Sequence, residues 1–119
     1  MADKWSAIHT FWNSFGLPAY DENTVPESAS LPYITYAASV AGLDESVYMT
    51  ASVWYKSNSW AEISRKTEEI SDLIGGGYGV GYDGGRMWVV KGAPFGQRMF
   101  EQTDKEIRRI VLQITAEFQ

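Results

Sequence analysis

The side chains that could carry chemistry are few in this chain, and their spacing assembles none of the familiar sites. His9 is the only histidine in 119 residues. An imidazole shuttles protons near neutrality only when a nucleophile or carboxylate is held against it. The sequence locates no such partner, so His9 reads as a surface or packing residue. The acidic pairs Asp21/Glu22, Asp44/Glu45 and Glu68/Glu69 fall in a connector, a turn and the wet face of a helix. They read as solvated charges, without the tuned pair that glycoside hydrolysis requires. Asp21, Glu22 and Glu27 could offer oxygen ligands to a metal, but their spacing matches no EF-hand loop. Gly79, Gly81 and Gly84 formally spell GxGxxG. A dinucleotide fingerprint needs those glycines between a strand and a following helix, whereas here they follow a helix and lie in a hairpin. No segment matches GxxxxGK[ST]. The expectation is therefore no catalytic residue, no cofactor, no metal and no enzymatic activity.

Composition narrows the partners. The chain holds no Cys, so it has neither a disulfide framework nor a thiolate metal site, which suits a reducing compartment. No segment approaches the length of a membrane span, and the expectation is a soluble, intracellular protein. Hydrophobic residues make up 45% and aromatics 14%, with five Trp and seven Tyr. Such content argues for one folded domain over residues 1–119, with aromatics to spare for interfaces. Net charge is −5: residues 1–85 carry 4 basic and 11 acidic side chains, residues 86–119 carry 6 and 4. An acidic chain without a basic run is a poor grip for nucleic acid. The uneven split could help copies pair head to tail.

The elements follow from periodicity. Residues 3–15 predict a helix with Asp3 as cap and Trp5, Ile8, Trp12 and Phe15 as its apolar stripe, stopped by Gly16 and Pro18. Gly16 to Leu31 reads as a long irregular connector, of the kind that is often functional. Tyr33–Val40 and Val47–Lys56 alternate as half-buried strands around a turn at Gly42–Glu45, with Trp54 on the more polar side of the second. From Ser59 the chain predicts its longest helix. Ser59 and Glu62 form a capping box, Trp60, Ile63, Thr67, Ile70 and Ile74 a stripe with Leu73 beside it, and Glu62–Lys66 an i,i+4 pair; Gly75, Gly76 and Gly77 end it. A hairpin turning at Asp83–Gly84 joins Tyr78–Tyr82 to Arg86–Lys91. Pro94 breaks that strand, Gln97–Phe100 resumes it, and Gln102–Lys105 turns. Ile110, Leu112, Ile114, Ala116 and Phe118 alternate so cleanly that this strand is expected to be central or nearly so, with its apolar face under the helices. The fold class expected is α+β, an antiparallel sheet of four to six strands with both helices packed on one face.

The run Gly16–Glu22, then Val25–Pro26, then Leu31–Ile34 resembles the tail terminator, or tail-completion, proteins of long-tailed bacteriophages, similar to the minor tail protein U of lambda-like phages. Ser57–Trp60 and Lys91–Arg98 also look like versions found in prophages of Gram-positive bacteria. The likeness spans nearly the full chain and rests on turn and strand-entry patterns. It implies a hexameric ring at the head-proximal end of the tail tube, which stops tube growth and offers a surface to the head connector. Its partners would be further copies of the chain, the tail tube protein and a connector or stopper, without a membrane. DNA would pass the lumen with no specific binding. Localisation would be the virion tail and, during assembly, the host cytoplasm. Tyr20, Asp21 and Trp54, with a loop carrying Phe95, Gln97, Arg98 and Met99, are the expected contact residues. A neck stopper and a monomeric ligand-binding domain using the Trp-rich face are the competing readings.

Overall fold

The structure is a computed structural model and describes residues 4–39, 46–99 and 106–118. Its elements are α1 (Lys4–Asn13), β1 (Ala19–Asp21), β2 (Tyr33–Ser39), β3 (Ser46–Lys56), α2 (Ala61–Ile74), β4 (Tyr78–Tyr82), β5 (Gly85–Met99) and β6 (Ile107–Phe118). The expected α+β architecture is present. The six strands lie in the order β1-β2-β3-β6-β5-β4, which puts the cleanly alternating β6 next to the middle, paired with β3 over 11 residues and with β5 on its other side.

Period-two alternation decides what each face of the sheet does. Val47, Met49, Ala51 and Val53 of β3 pair with Ala116, Ile114, Leu112 and Ile110 of β6, and all eight are buried. Ile34, Met87 and Val89 extend this layer sideways. Both helices lie on it. Ala7, Ile8, Phe11 and Trp12 of α1 and Ile63, Ile70 and Ile74 of α2 are buried in the same cluster. Helix α2 covers β3, β5 and β6, whereas α1 touches β1 and β2 as well as β4, strands from opposite ends of the sheet order. The sheet must therefore curl toward its helices, and α1 sits between its two borders.

Several expectations need correction. The sheet is mixed, because β1, inside the supposedly irregular connector, pairs in parallel with β2. Three residues are too few to show alternation, and their partner lies 15 positions away in the register Ala19↔Ile34. Helix α1 ends at Asn13 rather than residue 15, where Ser14 N–H turns back to the Phe11 carbonyl, and Trp5 is 51% exposed instead of core. Its proposed cap Asp3, the Gly42–Glu45 turn, Val40, Phe100 and the 102–105 turn lie outside the described residues. The capping box does not form. Ser59 Oγ accepts from Ala61 N–H at 3.1 Å, and Trp60 is the N-cap without a side-chain cap bond. Leu73 is 42% exposed. Pro94 does not end β5, which runs continuously with a register shift between Lys91 and Gly96, a bulge that absorbs the proline.

Lys66 also chooses another partner than the one expected. Its ammonium donates to the Phe15 carbonyl at 2.8 Å and to Glu69 Oε2 at 2.7 Å, in place of a pair with Glu62. The carbonyl just past α1 needs a donor, and a side chain only 17% exposed reaches it across the gap between the helices. Lys66→Met keeps the stem and loses the donor. It should cost about 1–2 kcal/mol, the usual effect of leaving a part-buried carbonyl without its charged partner. Urea unfolding with an unchanged slope is the check.

Candidate assembly interface

With both helices on one side, the other face of the sheet carries no cover among the described residues. Trp54 stands there, held rather than loose. Its Nε1 donates to Thr35 Oγ1 at 2.9 Å, and the Arg109 guanidinium sits 4.6 Å from a Trp54 ring centroid. Arg109 is itself fixed by donating from Nε to Ser52 Oγ at 3.0 Å. The cross-strand register Trp54↔Arg109 makes this stack possible. Its members lie 55 positions apart, which is why sequence reading found the tryptophan and missed the arginine. On the same face Tyr20 meets Tyr33 edge to face at 5.8 Å, and Tyr48 is 67% exposed. Oriented aromatic and arginine side chains on an uncovered face are the usual material of a protein contact.

The expected contact residues do not form one patch. Trp54, Tyr20, Gln97 and Met99 lie on the uncovered face, as the pairings Gln97↔Val111 and Met99↔Arg109 require. Asp21 and Arg98 point to the helix side, and Phe95 packs against the core. Nor do residues 95–99 form a loop: all belong to β5. Divided by strand, Tyr20 and Asp21 mark the β1 border of the sheet and residues 95–99 mark the opposite one. There β4 pairs with β5 only from Gly85 to Val89, so the outer flank of residues 91–99 has no strand neighbour among the described residues. A shallow groove of about 330 Å³ separates that flank from α2, lined by Ser64, Thr67, Glu68 and Ser71 on the helix and Phe95 to Arg98 on the strand. Arg98 lies 4.9 Å from the Trp60 ring centroid and donates to Ser64 Oγ at 3.2 Å. Lys91 donates to Ser71 Oγ at 3.1 Å and stands 5.8 Å from the centroid of Phe95.

The arrangement nearest to a reactive group is His9 Nδ1 within 3.0 Å of the Tyr36 hydroxyl. Burial, and after it the Asp21 carboxylate, push the Tyr36 phenol above its ordinary range, which keeps it neutral rather than preparing it as a base. Burial does the same to Tyr55. Asp21 is occupied locally, its carboxylate accepting the Asn23 N–H at 2.9 Å. No cluster of three His, Asp or Glu side chains suited to a metal occurs among the described residues, and no helix is long and apolar enough to cross a membrane.

The class these features define is an α+β domain with a curled six-stranded mixed sheet, two helices on its concave side and a flank of β5 without a strand neighbour among the described residues. The same fold occurs in a chain from the virion of a native gene transfer agent particle. That chain matches with a TM-score of 0.62 at 18% identity, over 90% of this chain and 83% of its own. No family model matches the sequence, and no curated protein does.

Proposed function

We propose that this chain is a non-catalytic structural protein of a phage-like particle, acting in the virion as the ring that terminates the tail tube and joins it to the head. The observation that carries the reading is the fold shared with a virion chain over nine-tenths of this sequence. Support comes from the uncovered sheet face with its clamped Trp54–Arg109 pair and from the open flank of β5, which leave contact surface on more than one side. A subunit contacted on two different borders is what a closed ring needs, since its interfaces are heterologous. In this reading six copies stack on the head-proximal end of the tube and present their other rim to the connector, and DNA passes through the lumen without sequence-specific contacts. Assembly takes place in the host cytoplasm.

Electron microscopy of particles assembled without the chain tests this. Overlong or unattached tails are expected. Full tails beside leaky heads would move the protein to the neck as a stopper, and normal particles would sink the structural reading altogether.

A further inference from the structure

We infer that copies of this chain meet head to tail through the two borders of the sheet, the acidic connector after β1 in one copy seated against the basic flank of β5 in the next. This rests on the ring reading above and names the contact that would build it. Residues 16–32 contain Asp21, Glu22 and Glu27 and no Lys or Arg, whereas β5 contains Arg86, Lys91 and Arg98 and no Asp or Glu. The strand order places these two segments at opposite ends of the sheet. Opposite charge on opposite borders rules on symmetry. A two-fold dimer would set acid on acid or base on base, but a head-to-tail contact sets acid on base at every junction.

The basic flank is prepared for a partner. Lys91 and Arg98 are steadied by the Phe95 and Trp60 rings and have serine hydroxyls as their polar partners, so a carboxylate arriving from outside would meet positioned cations. Glu68 also lines the groove, on its α2 wall, which leaves the attraction to the strand side. On the acidic border Glu22, Asn23, Thr24 and Glu27 are exposed. Its main chain is already blunted. The Ala19 N–H donates to Asn13 Oδ1 at 3.3 Å, and the Asp21 carbonyl accepts from Thr24 N–H at 2.9 Å and from its hydroxyl at 3.3 Å. Side chains and the connector therefore make this contact, not a continued β-ladder.

The chain has no Cys, so site-directed cross-linking starts from a silent background. Concentrated protein carrying Asn23→Cys and Gln97→Cys, both exposed neighbours of the charges, is treated with a short bis-maleimide. A ladder of dimer, trimer and higher species is expected, while an intramolecular product runs as monomer and each single variant stops at dimer. Glu22→Lys or Arg98→Glu alone should reduce the ladder roughly tenfold, as should high salt, and the two together should restore it. Single variants that dimerise as efficiently as the double variant cross-links would overturn the head-to-tail contact. So would rings visible by native mass spectrometry without a ladder, an outcome that leaves the proposed function standing. Absence of both ladder and rings, with normal tails in particles lacking the chain, removes the two together.

Discussion

Gly77→Ala should lower the melting temperature by roughly 12–20 °C, while Gly76→Ala, one residue earlier, leaves it nearly unchanged. The three consecutive glycines after α2 look interchangeable in sequence, but they are not equivalent in space. A Cβ built on Gly76 meets nothing within 4 Å. On Gly77 it would lie 2.1 Å from Trp88 Cζ2, with two further ring atoms inside 3.0 Å, and φ there is +152°. Displacing a packed indole costs about 1–3 kcal/mol and the backbone conformation a similar amount, so a total of about 3–5 kcal/mol is expected. At about 4 °C per kcal/mol for a domain of this size, that gives the stated shift. Such a loss is a large share of the total stability of a small domain. A Gly77→Ala protein melting within 3 °C or so of the parent would mean that Trp88 moves aside freely.

Trp12→Ala should destabilise by about 3–5 kcal/mol, whereas Trp12→Phe should cost less than about 1 kcal/mol. Trp12 is 0% exposed, packed edge-on to Phe11 at 4.9 Å and near Phe15 at 6.3 Å, so deleting its ring system opens a cavity between α1 and the sheet. Phenylalanine keeps most of that contact. It also removes an indole N–H that is fully buried with no acceptor among the described residues. An unmade buried hydrogen bond costs about 1–3 kcal/mol, which offsets the smaller ring's lost packing. Urea titration of both variants decides the point. If phenylalanine proves as costly as alanine, shape rather than the orphaned donor governs the site.

Local periodicity, summed over enough residues, located most elements and the inward face of each. Strands β3 and β6 alternate through Val47–Val53 and Ile110–Ala116, and each inward side chain so marked is buried. The stripe of Ile63, Ile70 and Ile74 is fully buried, and its polar interruption Thr67 is satisfied within the helix, Oγ1 donating to the Ile63 carbonyl at 2.9 Å. The two-residue turn Asp83–Gly84 sits between β4 and β5, with Gly84 at φ +101°. Termini were less legible, because Ser59 Oγ takes the Ala61 N–H one position short of the expected box, and Lys66 has a nearby partner in sequence and a better one in space. The candidate interface was legible residue by residue but not as a surface. Tyr20, Asp21 and the 95–99 segment were individually visible, yet nothing in their order said that they border opposite ends of one sheet.

Residue type and spacing alone thus determined the α+β class, the central place of β6, the lack of cysteine chemistry and the outward side of Trp54, since each depends on interactions within a turn or two of chain or on composition. Only tertiary structure decided the parallel pairing of β1, the stack of Arg109 on Trp54, the Lys66 bridge to the end of α1 and the unpaired flank of β5. Those contacts join positions 15 to 55 residues apart, and their geometry comes from the curl of the whole sheet, which no local repeat encodes.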